Sequence, residues 1–406
     1  MITTENNEHK KLNVPNSTDR GNVIRNVPHL RFPEFEGEWE DFLINDVCSE
    51  FKSGKNIKAD SISESGEYPV YGGNGLRGYT SSYNHEGLYV LIGRQGALCG
   101  NVRSVHGKTF ITEHAIAVAG NEISNTSFLH YLFVKMNLGQ YSDQSAQPGL
   151  AVNKLLKIKV VLPSVSEQTK IARFLSLLDE RITTQNKIID KLQSLIKGLE
   201  DNLLDNPLWE KTYLRSFMQF FSTNSLSWKQ LSYEEGEIRN LHYGLIHGFQ
   251  TRGINSASLP MIKNEAVPKQ YISCQVGDVA FADASEDTGE IAKSVEFVDT
   301  IEGDTICGLH TIHGRDIKNR TVVGFKGFAF NSRYFHNQIK RLAQGTKVFS
   351  ITANNLSSCY VYLPDLETQK AIVNLLKTYE AKLLVNKRLL EQYEKQKQYL
   401  LRQMFI

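Results

Sequence analysis

The stretch LPSVSEQTKIARFLSLLDERI, residues 162–182, returns as LPDLETQKAIVNLLKTYEAKL, residues 363–383, and the two copies lie 201 residues apart without a gap. Pro163 matches Pro364, and Gln168 matches Gln369. A period of this length is far longer than that of a solenoid repeat. The duplication therefore indicates two copies of a whole domain-plus-helix unit.

A long amphipathic helix is predicted after each Leu-Pro pair. Proline suits the first turn of a helix, and no further proline interrupts either copy before Pro207 or the chain end. Apolar residues then recur in alternating steps of four and three, which is typical of a heptad seam. The seam positions are Ile171, Leu175, Leu178, Ile182, Gln185, Ile189, Leu192, Ile196, Leu199 and Leu203 in the first copy, and Ile372, Leu376, Tyr379, Leu383, Asn386, Leu390, Tyr393, Lys397, Leu400 and Met404 in the second.

Both seams carry their first polar residue at the same place, Gln185 and Asn386. If the helices pack antiparallel about a pseudo-twofold axis, the two amides lie close together, and a buried pair there would fix the register at some cost in stability. In the alternative arrangement, both amides face water through a gap in the seam.

The composition favours a soluble, cytoplasmic protein with two domains. A chain of 406 residues with 41% hydrophobic content can bury two cores. No apolar run approaches the length of a membrane span, and the polar N-terminus lacks the apolar region of a secretory signal. The five cysteines are scattered without a Cys-x-x-Cys pair, which indicates reduced structural thiols.

Two segments of short β-like runs, separated by Gly, Ser and Asn clusters, flank the first helix. The predicted fold class is therefore α+β, with two strand-rich mixed α/β domains and a pair of long antiparallel coiled-coil helices. A tryptophan near the start of each domain, Trp39 and Trp228, is interpreted as a packing anchor rather than a binding residue. The predicted division is a disordered polar tail at 1–28, a first domain at 29–162, a central helix at 163–205, a linker and second domain at 206–362, and a C-terminal helix at 363–406, with the stretch from Asp205 to Ser227 as the linker.

Sequence motifs for catalysis and for cofactor binding are either absent or lack the neighbouring elements that they require. GNGLRG, residues 73–78, has the dinucleotide-binding spacing, but no helix pattern follows it, so we interpret its glycines as turn formers. No Walker loop occurs. His310 and His313 have no accompanying Cys or carboxylate at metal-site spacing, so no metal site is predicted. No catalytic residues are assigned.

Charge is informative in its distribution rather than in its total, which is +2. Between Arg315 and Lys347 eight Lys or Arg residues accompany a single acid, Asp316, and polar and aromatic residues are interleaved with them. In the first domain, the segment from Gly87 to Thr112 holds Arg94, Arg103 and Lys108 and no acidic residue. Such faces suit phosphate contacts and readout of base edges, although a charge run can also be a solvated surface.

In this order the motifs identify a family. The chain resembles the specificity subunits of type I restriction-modification systems through Trp39, YPVYGGNGLRGY, VLIGRQGALCG and the duplicated Leu-Pro and Gln helix start, and RFPEFEGEWE is similar to the staphylococcal members. The Glu of SEQTK is replaced by Thr368 in the second copy, and LHYGLIHGF, where the second domain begins, matches least well.

The resemblance implies two target-recognition domains that each read one half of a bipartite site in double-stranded DNA. The helices would act as a ruler, because the rise from Ile171 to Leu203 is about 50 Å and exceeds one turn of B-DNA, roughly 34–36 Å. It also implies no catalysis and no cofactor in this subunit. Two methyltransferase subunits would supply S-adenosylmethionine, and restriction or motor subunits would supply ATP and Mg²⁺ sites.

The predicted DNA contacts are basic or polar residues in Gly-rich loops, and an exposed side chain without a DNA contact is the alternative for each. They are Lys55, Asn74, Arg77, Arg94 and Gln95 in the first domain, and Arg252, Arg315, Arg320, Arg333, Gln344 and Lys347 in the second. Two other classes of protein remain open: an enzyme with an unrecognised site, and a two-headed coiled-coil scaffold that binds protein or glycan.

Overall fold

A computed structural model describes residues 26–142, 148–249, 251–299 and 303–406. Most of the predicted N-terminal tail therefore lies outside the described residues. The chain packs into two units: the first runs to Ile182 and includes Gln392–Ile406, and the second is Thr183–Glu391. Each unit contains one strand-rich domain and a section of both long helices.

The first unit is built on a six-stranded sheet in the order β2-β7-β5-β6-β3-β4. Strands β1 and β8 form a separate antiparallel ribbon that leads into the first long helix. The elements are β1 Glu40–Leu43, β2 Cys48–Ser53, β3 Tyr68–Gly72, β4 Gly75–Thr80, β5 His85–Gly93, β6 Val102–Ile111, β7 Ala115–Gly120, α1 Thr126–Met136, α2 Val152–Leu155, β8 Lys159–Leu162 and α3 Val165–Leu204.

The core of the first unit lies between this sheet, helix α1 and the helix sections. Alternate residues of β5 and β7, such as Ile92 and Val118, face Phe128 and Phe133 of α1, because successive side chains of a strand point to opposite faces. Helix α1 begins where the Asn125 side chain accepts a hydrogen bond from the Phe128 amide.

The second unit has a five-stranded sheet, β10-β19-β15-β17-β13, and a four-stranded sheet, β11-β14-β12-β18. Strand pairs β9–β21 and β16–β20 are separate. The elements are β9 Glu210–Tyr213, β10 Met218–Phe221, β11 Leu231–Ser232, β12 Arg239–Leu241, α4 Tyr243–Gly248, β13 Gly253–Ile254, β14 Met261–Ile262, β15 Val279–Ala282, β16 Ala284–Ser285, β17 Ser294–Phe297, β18 Thr305–Cys307, β19 Thr311–Asp316, α5 Phe325–Ala329, α6 Arg333–Leu342, β20 Phe349–Ser350, α7 Ala353–Ser358, β21 Tyr360–Leu363 and α8 Leu366–Gln403.

The main sheets of the two units have the same order of strand pairings. The run β2-β7-β5-β6-β3 has three antiparallel pairs followed by a parallel one, and β10-β19-β15-β17-β13 repeats this sequence of pairings. The ribbons that lead into the long helices also match, since Glu40 pairs with Leu162 and Glu210 pairs with Leu363. The duplication therefore extends into both domains, where the sequence shows it only weakly.

Helices α3 and α8 contain 40 and 38 residues and are antiparallel within each unit. In the first unit Lys397 is paired with Asp179, and in the second Leu376 packs in the same core as Leu204. The predicted fold class, α+β with strand-rich domains and two long antiparallel helices, is confirmed. In the described ranges none of the helices combines the length and the apolar character that a membrane crossing requires.

A buried glutamine fastens each domain to the start of its helix. Gln168 Nε2 donates to the carbonyls of Ile123 and Pro163 at 2.9 Å, and Gln168 Oε1 accepts from the Asn125 amide at 2.8 Å. Gln369 makes the same three bonds, to Arg320, Pro364 and Val322, at 3.0 Å each. This shared role explains why the glutamine is present in both copies of the repeat.

The prediction that the stretch from Asp205 to Ser227 is a linker is wrong. It contains β9, which pairs with β21, and β10, which forms the edge of the five-stranded sheet. Trp209 directly precedes β9 as Trp39 directly precedes β1, so Trp209 is the counterpart of Trp39. Trp39 is a buried anchor against Phe128 and Phe405, whereas Trp228 is 47% exposed.

The GNGLRG segment forms the turn from β3 to β4. Gly72 pairs with Gly75, and a strand follows rather than a helix. Gly75 has a φ of 108°, and a Cβ atom there would lie 2.5 Å from the Arg103 guanidinium. The interpretation of these glycines as turn formers is confirmed.

Candidate functional site

Four chain segments of the first unit meet around the start of strand β7. The Lys55 amide donates to the Ile111 carbonyl at 3.0 Å, the Thr112 amide donates to the Tyr71 carbonyl at 2.9 Å, and the Arg94 amide donates to the His114 carbonyl at 2.9 Å. We call this group the first loop end; its segments are 54–55, 72–77, 93–96 and 112–114.

All five residues predicted to contact DNA in the first domain belong to the first loop end. Lys55, Asn74, Arg77 and Gln95 are exposed, and Arg94 is half-buried. The Gln95 side chain contacts His114, with 3.1 Å between Oε1 and Nδ1. The structure thus brings together side chains that are up to 40 residues apart in sequence, and three of the five carry a positive charge.

The second unit has an equivalent loop end with different side chains. The Asp283 amide donates to the His310 carbonyl at 3.1 Å, as the Arg94 amide does to His114. The Ile351 amide donates to the Asp283 carbonyl at 2.9 Å, as the Leu150 amide does to Arg94. We call this group the second loop end; its segments are 283–285, 308–310 and 344–350.

Of the residues predicted to contact DNA in the second domain, Gln344 and Lys347 belong to the second loop end. Both are exposed, and the Gln344 amide donates to the Ser350 carbonyl at 3.0 Å. Their neighbours include Asp283 and His310, whose side chains form a pair at 3.1 Å. The His310 ring also contacts Tyr243 edge-on. The second loop end is therefore less basic and more aromatic than the first.

Arg315 is at the opposite end of strand β19, turned into the protein. Its guanidinium donates two hydrogen bonds to Asp278, at 2.8 and 2.7 Å, and one to the Ser273 carbonyl. The Arg315 and His313 hydrogen bonds lower the pKa of Asp278 despite the burial of that carboxyl group, which acts in the opposite direction.

Arg320 and Arg252 also have acidic partners. Arg320 Nη2 is 2.7 Å from Glu210 and follows the turn that Gln369 fastens to helix α8. Arg252 approaches Glu200 of α3 at 3.9 Å. Burial raises the pKa of Glu380 on α8 to about 7, although the nearby Arg252 acts to lower it.

Arg333 begins helix α6, which carries a basic face. Side chains three, four, seven and eight positions apart share one side of a helix. The exposed side chains of α6 follow this spacing, and the opposite side packs Phe335 and Ile339 into the core. The basic α6 face consists of Arg333, Asn337, Lys340 and Arg341.

Lys326, which belongs to the basic run Arg315–Lys347, is unavailable to any ligand. Its side chain is 2% exposed and is 3.0 Å from Glu296, which is fully buried. The sequence pattern does not distinguish this lysine from its exposed neighbours, because its partner lies 30 residues earlier in the chain.

The two seam amides are in contact. Gln185 Nε2 donates to Asn386 Oδ1 at 2.6 Å and to the Asn386 carbonyl at 3.1 Å. Gln185 is buried, so the arrangement in which both amides face water is wrong. Their role in fixing the helix register stays a prediction.

Three further polar residues that sequence reasoning did not connect come together inside the second unit. Cys274 Sγ, Cys307 Sγ and a ring nitrogen of His313 lie within 4.8 Å of one another, and all three residues are buried. The segments that carry them are separated in sequence and show no motif spacing. Elsewhere, burial raises the pKa of the Cys48 and Cys359 thiols to about 12, which makes both poor nucleophiles.

Comparison with known proteins links this chain to one family. A family model described as the type I restriction modification DNA specificity domain matches residues 36–194 and 261–395. The specificity subunit of the type I restriction enzyme EcoprrI from Escherichia coli is 41% identical over 165 residues, which are 40% of this chain and 40% of that protein.

Two other relatives differ in coverage. A putative type I specificity subunit from Haemophilus influenzae, S.HindORF215P, is 30% identical over 146 residues, 35% of this chain and 37% of that protein. The matched stretches thus span about two fifths of the Escherichia coli and Haemophilus proteins. The MjaVIII specificity subunit from Methanocaldococcus jannaschii is 25% identical over 401 residues, 91% of each chain.

Solved structures share the fold. The S subunit of a type I restriction-modification system from M. genitalium superimposes with a TM-score of 0.65 at 15% identity, over 94% of this chain and 99% of that one. This similarity extends through both strand-rich domains and both long helices.

Proposed function

Because this chain belongs to the family of type I restriction modification DNA specificity domains, we propose that it is the DNA specificity subunit of a type I restriction-modification complex. In this proposal each unit reads one half of a bipartite site in double-stranded DNA. The chain itself performs no chemistry and selects the sequence on which partner subunits act.

The proposal rests on one observation: the main sheets of the two units have the same order of strand pairings, whereas their loop ends carry different side chains. Both main sheets have the same order of strand pairings, and both position a loop end through the same backbone bonds, to His114 and His310. The side chains differ, with Arg94 and Gln95 in the first and Asp283 and Ala284 in the second. The same sheet architecture with different polar side chains is suited to two domains that recognise two different base sequences.

The long helices support the bipartite part of the proposal. An unbroken helix of 40 residues is about 60 Å long at about 1.5 Å per residue, which exceeds one turn of B-DNA, roughly 34–36 Å. We propose that the two helices set the spacing of the half-sites and bind two methyltransferase subunits. Those subunits would bring S-adenosylmethionine, and the restriction or motor subunits would bring ATP and Mg²⁺.

The test is to express the chain with candidate methyltransferase subunits of the same genome and to map methylated bases across the host DNA. We expect methylation at one bipartite sequence with a fixed, unspecified spacer, and none when the chain is omitted. Methylation at a continuous sequence would contradict the bipartite reading. Methylation that is unchanged without this chain would overturn the proposed function.

A domain exchange assigns the half-sites. Replacing residues 39–162 by the corresponding domain of a relative with another target should change one half of the methylated sequence and preserve the other half. Exchange of residues 209–363 should do the reverse. A change in both halves after either exchange would contradict independent reading by the two units.

A further inference from the structure

A buried cluster of two cysteines and one histidine lies inside the second unit, and Cys307 directly precedes segment 308–310 of the second loop end. Cys274 precedes strand β15, Cys307 ends β18 and His313 lies in β19. The last two strands belong to different sheets of the unit. From this geometry we propose that Cys274, Cys307 and His313 bind a Zn²⁺ ion that cross-links the two sheets.

The distance between the two sulfur atoms suits a shared metal ion. Cys274 Sγ and Cys307 Sγ are 3.6 Å apart. Two sulfurs bound to one zinc ion at about 2.3 Å with tetrahedral angles are separated by about 3.8 Å, whereas disulfide sulfurs are about 2.0 Å apart. A ring nitrogen of His313 completes a set of ligand atoms within 4.8 Å of one another.

His313 has a carboxylate hydrogen-bond partner, as metal-binding histidines commonly do. His313 Nε2 is 2.7 Å from Asp278 Oδ2, and both side chains are buried. A carboxylate that accepts one ring N–H fixes the tautomer and orients the other ring nitrogen, here Nδ1, for a metal. Arg315 in turn holds Asp278 through two hydrogen bonds.

The charges of the occupied site balance. Two thiolates neutralise one Zn²⁺ ion, and Asp278 is neutralised by Arg315, so the buried group carries no net charge. Burial of an unbalanced charge would be unfavourable. Thiolate and imidazole ligands favour Zn²⁺ over the hard cations Mg²⁺ and Ca²⁺, and three protein ligands leave a fourth position for a water molecule.

The metal content of the full-length chain is the direct test. The chain is purified without chelators under reducing conditions from cells grown with zinc, and its metals are measured by plasma mass spectrometry. We expect about one zinc ion per chain and loss of that ion in Cys307→Ser and Cys274→Ser. Cys359→Ser, a matched buried cysteine that packs in a different core cluster, should retain it.

Cobalt provides a second measurement that does not depend on the folding of any variant. Co²⁺ that replaces zinc in the wild-type chain should give an intense thiolate-to-metal band and the strong visible bands of tetrahedral coordination. A wild-type chain without zinc and without a cobalt–thiolate band would overturn the proposal. So would a Cys274–Cys307 disulfide found by peptide mapping in place of the metal. Neither measurement involves DNA, so it is independent of the proposed function.

Discussion

Gln185 and Asn386 are equivalent positions of the repeat, 201 residues apart, and they are hydrogen-bonded to each other at 2.6 Å. Both residues lie in the second unit, near the midpoints of helices α3 and α8. Any shift in register would separate them and leave polar groups inside an apolar seam.

We expect the double replacement Gln185→Leu and Asn386→Leu to relax the register while leaving stability equal or slightly higher. A buried polar pair in a seam specifies alignment at a cost in stability, and leucine removes both effects. Light scattering coupled to size exclusion should then detect additional oligomers. The control pair Ser194→Leu and Thr378→Leu, exposed on the same helices, should not change the assembly. A monodisperse double variant would contradict the register role.

Replacement of Gln168 by alanine should destabilise the first unit by about 3 kcal/mol, because it leaves buried carbonyl and amide groups without partners. The affected groups are those of Ile123, Pro163 and Asn125. Hydrogen exchange should accelerate around residues 120–130 and leave the second unit unchanged. Gln369→Ala should have the corresponding effect around Arg320. Arg173→Ala, at an exposed position of the same helix, is the control; equal exchange in all three variants would refute the fastening role.

Stability should depend on pH through Glu380. Burial raises the pKa of this carboxyl group from its ordinary 4.5 to about 7, so the folded chain holds a proton that the unfolded chain has released between these values. The free energy of unfolding should therefore fall as the pH rises from about 4.5 to about 7 and then level off.

Glu380→Gln should remove the part of this decline that Glu380 contributes and make the chain up to about 3 kcal/mol more stable than wild type near pH 8. Near pH 4.5 the two proteins should be similar, because glutamine resembles the protonated acid. Denaturant titrations at several pH values provide the measurement. Glu391→Gln, at an exposed position of the same helix, should follow the wild-type curve. A parallel decline in Glu380→Gln would assign the pH dependence to another group.

Arg94→Ala and Gln95→Ala should each weaken recognition of one half-site, and a base contact there would cost about 1–3 kcal/mol. A phosphate contact would instead weaken binding to all sequences alike and lower the dependence on salt. Binding of the assembled complex to DNA with single-base changes in either half-site separates these cases. Lys108→Ala, exposed on strand β6 outside the first loop end, is the control. Unchanged affinity and preference in both loop-end variants would exclude the first loop end as the reader.

Lys326→Met should unfold or strongly destabilise the second unit, by about 3–5 kcal/mol, because it leaves the buried Glu296 carboxylate without its partner. Any loss of DNA binding should follow the loss of folded protein. Lys340→Met, on the exposed basic α6 face, should leave stability unchanged. Thermal unfolding of the two variants checks the contrast, and equal stability would place Lys326 outside the core.

Features that depend on local periodicity could be predicted from the sequence. The steps of four and three from Ile171 onward are enough to identify the seam, and the offset between Gln168 and Gln369 reveals the duplication. The loops with Lys55, Asn74 and Arg94 could be identified as polar and Gly-rich, but their meeting around the start of strand β7 depends on strand pairing. In the second unit, insertions shift the offset between equivalent positions, so the sequence alone does not align the counterparts of these loops.

The sequence by itself determined two long amphipathic helices, two strand-rich domains and the equivalence of Gln185 with Asn386, because heptad spacing and repeated order are properties of neighbouring residues. Only the tertiary structure decided that the stretch before Trp228 supplies strands β9 and β10, and that Lys326 is buried against Glu296. It also brought Cys274 and Cys307 to within 3.6 Å. These contacts join residues about 30 to 150 positions apart, and their free energy comes from burial and pairing that exist only once the whole unit has folded.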